Sequence, residues 1–222
     1  MENKEFIYTL KKLFIKNSNP IIAKKQKAYL RNKFEFYGIK AKVRREILKK
    51  TLNIYNAKYH PELLAKQLWQ KKEREYHYCA QEIILIKKNY KTNDVNLFEY
   101  MITNKSWWDT IDFIAPKILG EYFKLYPNQI DKKINQWIFS DDIWLQRSCL
   151  IFQLKYKKKL NTKLLTYIIK NLLNTDEFFI KKSIGWILRE YSKTNSLWVE
   201  KFVHKTKLKS LSKREALKFI NK

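Results

Sequence analysis

Glycine and proline are scarce, with 3 Gly and 4 Pro in 222 residues. A β protein of many tight turns needs far more of both, so the scarcity argues against one. Cysteine is scarcer still, with only Cys79 and Cys149. Both fall inside helical apolar patterns and read as small buried hydrophobes in a reducing cytosol. His60, His77 and His204 are scattered, and no Cys/His cluster has metal-ligand spacing. Neither a GxxxxGK(S/T) nor a GxGxxG run occurs, which argues against nucleotide hydrolysis and dinucleotide redox chemistry. No apolar run approaches the ~20 residues that span a bilayer. The N-terminal MENKEFIYTLKKLF has no uninterrupted apolar core and no small-residue cleavage site, so it does not read as a signal peptide.

Acid is the other shortage. Against 47 Lys+Arg stand 21 Asp+Glu, a formal charge of +26. Such a field gathers polyanions, so nucleic acid is the expected partner and a membrane surface the main competitor. Abundant Lys, Asn and Ile also suit an AT-rich genome, and some of the Lys excess belongs on solvated faces. With 45% hydrophobic and 15% aromatic residues, the chain can still bury a sizeable core and is not disordered.

Apolar spacing is helical nearly everywhere. It predicts helices over 3–16, 21–34, 41–55, 61–70, 73–90, 93–103, 106–125, 128–139, 141–158, 162–173, 177–193, 195–206 and 212–221. Pro20 and Pro61 sit at helix starts, and the segments from Ser106 to Asp109 and from Ser212 to Glu215 match capping boxes. Connections are short, so 1–222 reads as a single domain. Long helices begin near Glu73, Trp107, Asp142 and Phe178, at steps of 34, 35 and 36 residues. That period belongs to helical-hairpin repeats. A hairpin cannot bury its apolar face alone, so neighbours stack into a curved solenoid with one concave wall.

Aligning the repeats sets Asp112 opposite Arg147, 35 residues on, and opposite Ser183 one repeat later. Asp109 has a local reason, as the acid of the Ser106 cap. Asp112 does not: it lies in a densely apolar helix, four residues after Trp108 and on the same face. In the last long helix Trp186 projects near Ser183 and Lys182. Two readings are open on spacing alone. Asp112 and Arg147 tie two repeats together with the tryptophans as core, or the wall carries a carboxylate, basic residues and indoles for DNA.

Several segments resemble the bacterial AlkD-type DNA alkylation repair glycosylases. They are the runs from Ser106 to Asp112 (SWWDTID), from Asp142 to Arg147 (DIWLQR), from Phe152 to Lys157 and from Phe178 to Trp186, with Phe34 to Ile39 and Leu211 to Ala216 near the ends. The resemblance implies an all-α fold of HEAT-like repeats and excision of cationic N3- and N7-alkylated purines from duplex DNA. It also implies Asp112 as the catalytic carboxylate, Trp108 and Trp186 as sugar-packing residues and Arg147 as the phosphate-gripping residue. Inactive paralogues lose an N-terminal helix that meets the lesion; that segment is present here, with Tyr29 as its aromatic residue. Tyr29, Lys182 and Arg189 join Arg147 as expected DNA contacts. A cationic purine is already a good leaving group, so no cofactor, metal or second acid is implied. The expected protein is a monomeric cytoplasmic enzyme working at the nucleoid. The competing readings are a non-catalytic repeat protein that binds damaged or branched DNA and a protein-binding scaffold with an acidic partner.

Overall fold

Helix α1, Glu2–Lys16, buries Phe6, Leu10 and Phe14 completely, four residues apart on one stripe. The computed structural model describes residues 2–56 and 58–220. These hold helices joined by short turns and no β-strand; Glu35 and Glu73 form an isolated parallel bridge. Among the described residues no helix is long and apolar enough to cross a membrane. Contacts gather the chain into two compact units, Met1–Asn89 and Tyr90–Lys222.

In the first unit α1 packs on α3 (Ala41–Tyr55), and α4 (Pro61–Trp69) pairs with α5 (Arg74–Lys87). Pro20 and Pro61 each open a helix, where a missing N–H costs nothing. Helix α2 is Pro20–Tyr29, shorter than the apolar spacing predicts, because Arg31 and Asn32 turn left-handed at φ 55° and 58°. The chain that follows is held from elsewhere. Buried Glu75 on α5 accepts the backbone N–H groups of Tyr37, Gly38 and Ile39 at 3.2, 3.0 and 3.2 Å. Gly38 lies at φ +85° with no room for a side chain, since a Cβ would meet the Asn19 carbonyl oxygen at 2.0 Å. Helix α5 likewise stops at Lys87 rather than at 90, where Lys88 turns to φ 55°.

The second unit carries α6 (Val95–Thr103), α7 (Trp108–Ile114), α8 (Gly120–Leu125), α9 (Ile130–Ile138), α10 (Ile143–Ile151), α11 (Thr162–Asn171), α12 (Phe178–Ser192), α13 (Ser196–Lys205) and α14 (Ser210–Ala216). α7 runs into α8 through a π-helical turn, Ala115–Leu119, that carries Pro116. Proline has no N–H for the ladder, and a wider turn accommodates the gap. The repeat is visible in tyrosine bonds. Tyr126 donates its hydroxyl to the Tyr90 carbonyl and Tyr156 to the Gly120 carbonyl, each at 2.7 Å across 36 residues. Gly120 allows that approach, since a Cβ there would lie 2.7 Å from the Phe152 carbonyl oxygen.

Helix α10 is buried on most of its faces, Arg147 and Ser148 included, and is packed by α6, α7, α9, α11 and α12. Asp142 caps it, accepting the N–H groups of Trp144 and Leu145 at 2.7 and 3.0 Å. It ends at Ile151 instead of 158; turns and a short 3-10 segment, Lys157–Lys159, take over. Cys149 in α10 and Cys79 in α5 are fully buried free thiols, and burial pushes both well up from the ordinary thiol value.

Candidate active site

Trp107, not Ser106, is the residue that leads into α7, with extended backbone at φ −163° and ψ 160°. The Ser106 hydroxyl turns back to donate to the Ile102 carbonyl, so the expected capping box does not form. What sets the start of α7 is packing. The Trp107 indole lies against Trp144 of α10 and Phe179 of α12, with ring centroids at 5.5 and 5.2 Å, and Trp144 meets Phe179 at 4.9 Å. This aromatic knot joins the N-terminal ends of α7, α10 and α12 and sets their register.

That register brings Asp112 of α7 to Arg147 of α10. Arg147 donates Nε–H to Asp112 Oδ1 at 2.8 Å and Nη2–H to Oδ2 at 3.0 Å, a two-pronged pair. Its Nη1 donates to the Phe179 carbonyl at 2.6 Å. Arg147 is 3% exposed, whereas the Asp112 side chain keeps 22%. The cation is therefore enclosed and the carboxylate faces outward past it. Burial raises the Asp112 carboxyl above its ordinary value, and the Arg147 hydrogen bonds and charge pull it back without cancelling the rise. Both oxygens accept from the guanidinium, which is the arrangement of an ionised carboxylate. Trp186 of α12, half-buried, presents its ring 5.9 Å from the Arg147 guanidinium carbon. Trp108, the first residue of α7 and also half-buried, lies one turn before Asp112.

The model of the DNA alkylation repair enzyme family matches residues 10–220. The chain belongs to that family. A predicted DNA alkylation repair enzyme from Enterococcus faecalis is 34% identical to it, over 93% of this chain and 98% of that one, with a TM-score of 0.85. AlkD2 from Streptococcus mutans is 18% identical, over 80% of this chain and 90% of that one, at 0.61. The smu.31 protein of Streptococcus mutans UA159 is 17% identical, over 81% and 96%, at 0.60. At those identities the two streptococcal proteins show the shared all-helical fold alone. The curated proteins contain no match.

The remaining positions read from the sequence of this alkylation repair enzyme fall in different places. Ser183, aligned with Asp112 and Arg147 by the repeat, is fully buried and donates to the Phe179 and Ile180 carbonyls of its own helix at 3.0 and 2.9 Å. Lys182 and Arg189 flank Trp186 on α12, and both bind Glu215 of α14, with Nζ–Oε1 at 2.7 Å and Nη1–Oε2 at 2.5 Å. Tyr29 ends α2 in the first unit and is 71% exposed.

Glu215 is the residue that sequence reasoning missed as a partner of the site. The spacing from Ser212 to Glu215 matches a capping box, but α14 starts earlier, at Ser210. Ser212 instead donates its hydroxyl to the Lys181 carbonyl at 2.8 Å, and Glu215 turns to α12. The alternative signal was Gly185, one of three glycines, four residues before Arg189 in an otherwise bulky helix.

Proposed function

We propose that this DNA alkylation repair enzyme is a DNA glycosylase that hydrolyses the N-glycosidic bond of purines carrying an alkyl group at N3 or N7 in duplex DNA. The observation that carries the reading is the Asp112 carboxylate, held by an enclosed Arg147 that also meets Trp186, with the Asp112 side chain still partly reached by solvent. A reacting sugar needs a fixed negative charge it can approach, and a partly exposed carboxylate on a packed helix meets that need.

The chemistry follows from the leaving group. An N3- or N7-alkylated purine is cationic, so the C1′–N9 bond can break with its electron pair returning to the ring, leaving a neutral base. Positive charge moves to the deoxyribose as an oxocarbenium ion. Asp112 stabilises that charge and orients a water whose oxygen bonds to C1′, while a proton leaves to solvent or to the carboxylate. The faces of Trp108 and Trp186 add a cation–π contribution of roughly 0.5–2 kcal/mol. Neutral purines lack the leaving-group charge and are spared.

Arg147 acts chiefly through Asp112. Of the five N–H donors of a guanidinium, three are engaged with Asp112 and Phe179, and the residue is only 3% exposed, so in this reading it serves the carboxylate before any phosphate. The charge of +26 supplies the long-range attraction to DNA, and Tyr29, Lys182 and Arg189 are further contacts in this reading. The protein is expected to act as a cytoplasmic monomer without a metal or cofactor, because water and one carboxylate suffice.

One observation favours a second reading, a non-catalytic protein that binds damaged or branched DNA. Arg147 is almost fully enclosed, as a purely structural tie between helices would be. Base release from N-methylated duplex by the unaltered protein separates the two, and Asp112→Asn tests the role of the carboxylate. The variant should fold and bind methylated duplex with parental affinity, and excision of 7-methylguanine should fall about 100- to 1000-fold, the scale of losing one preorganised electrostatic group. Release of free 3-methyladenine and 7-methylguanine by the variant at the parental rate would make Asp112 structural and end its assignment as the catalytic carboxylate, and no base release by the unaltered protein would end the glycosylase reading.

A further inference from the structure

Lys182 and Arg189 sit four residues before and three residues after Trp186, on one side of α12. Left alone, two long cationic side chains beside an indole would sample many rotamers and repel each other. Here one carboxylate collects both. Glu215 offers Oε1 to Lys182 and Oε2 to Arg189, and its side chain keeps 11% exposure against 38% and 21% for the two cations. The acid is thus the enclosed member and the cations the exposed ones. Three cues show that Glu215 is held in place rather than loosely attracted. A Cβ on Gly185 would lie 2.5 Å from the Glu215 Cβ and 3.4 Å from its Cγ, so the acid is seated directly over the one residue of α12 that leaves space for it. Ser212, one turn earlier on α14, bonds to the Lys181 carbonyl and locks the two helices in that register. The Lys182 hydrogen bond holds the Glu215 carboxyl below the usual carboxylate range.

We propose that Glu215, seated over Gly185, is a positioning residue that fixes Lys182 and Arg189 on either side of Trp186 as a preformed two-cation grip for the DNA backbone. This rests on the glycosylase reading for the face of α12 that DNA meets. Two cations against one acid leave a net positive charge on that face, so Glu215 removes part of the attraction and returns order in exchange. An ordered side chain contributes more to binding than a mobile one because its freedom is not lost on association.

The test is a binding cycle with an undamaged labelled duplex, titrated over a range of salt. Lys182→Met is expected to weaken binding by about threefold to tenfold and to lower the slope of log K against log salt by about 0.9. Glu215→Gln is expected to weaken binding by about tenfold although it removes a negative charge next to DNA. In the Glu215→Gln background, Lys182→Met should then cost less than about twofold, because the lysine is already unaligned. Glu215→Asp keeps the charge but is too short to reach both cations, so it should weaken binding as well; it serves where the Gln variant folds poorly. Tighter or unchanged binding by Glu215→Gln overturns the proposal, as does an undiminished cost of Lys182→Met in that background. So does a lowered melting temperature with a parental salt slope, the mark of a merely structural acid. Undamaged duplex keeps this separate from catalysis. No base release from N-methylated duplex by the unaltered protein would end the glycosylase reading and leave these binding results standing, whereas absent coupling with excision intact would remove Glu215 alone.

Discussion

Arg147→Met strips the guanidinium from the pair and keeps most of the stem. Removing one partner of a buried ion pair costs about 3–5 kcal/mol, because the charge left behind has lost both its partner and its water. Two features of the structure favour the lower end. The Asp112 side chain keeps 22% exposure, so solvent can rehydrate it in part. The Phe179 carbonyl still accepts the Ser183 hydroxyl, so it is not stranded. The expected loss is about 3 kcal/mol, which for a chain of this size lowers the melting temperature by roughly 6–12 °C. Most of that cost should belong to the abandoned carboxylate. Adding Asp112→Asn to Arg147→Met should therefore restore about 1–2 kcal/mol, although each substitution alone destabilises. The pH dependence has a definite sign. Without Arg147 the influences that lower the Asp112 carboxyl vanish and burial acts alone, so its folded value rises further above the unfolded one. The deficit is then small where Asp112 is protonated in both states, below about pH 4, and reaches full size as pH climbs through the raised folded value. Urea unfolding followed by circular dichroism, at about pH 7 and just below about pH 4, measures both quantities. A loss under about 1 kcal/mol, or a double variant no more stable than Arg147→Met, would show that the carboxylate gains nothing from its partner and would refute the reasoning.

Other outcomes follow from the same geometry. If the protein is the proposed glycosylase and Asp112 acts ionised, kcat/KM should fall on the acid side with its midpoint above the ordinary Asp value of about 3.9. A pH profile of 7-methylguanine release checks this, and a midpoint below that value would contradict the burial argument. Gly38→Ala should destabilise the first unit by about 3 kcal/mol or more, because a Cβ meets the Asn19 carbonyl at 2.0 Å and φ is +85°. Thermal melting reads the loss, and an unchanged melting temperature would mean that the loop from Tyr37 to Ile39 can leave Glu75 without penalty.

The chain's own order specified its helices and their repeat. Apolar spacing located the ends of α1, α3 and α4 within a residue or so, and the prolines at 20 and 61 marked the starts of α2 and α4, since these signals act within a turn or two of the backbone. The step of 35 residues paired Asp112 with Arg147 before any geometry was known, because equivalent positions of stacked hairpins must lie side by side. How the chain is held beyond a helix end depended on distant partners. Arg31 and Asn32 turn left-handed and end α2, and the chain beyond them, Tyr37 to Ile39, is held by Glu75 on α5, which nothing within residues 20–34 announces. Ser106 and Ser212 looked like caps by local spacing, yet each hydroxyl donates to a carbonyl that precedes its helix in the chain. Spacing along one helix says which side chains share a face, but not which of them another helix will cover. Only the packing of α10 among its neighbours decided that Arg147 is enclosed while Asp112 looks out, and only the seat over Gly185 decided that Glu215 gathers Lys182 and Arg189.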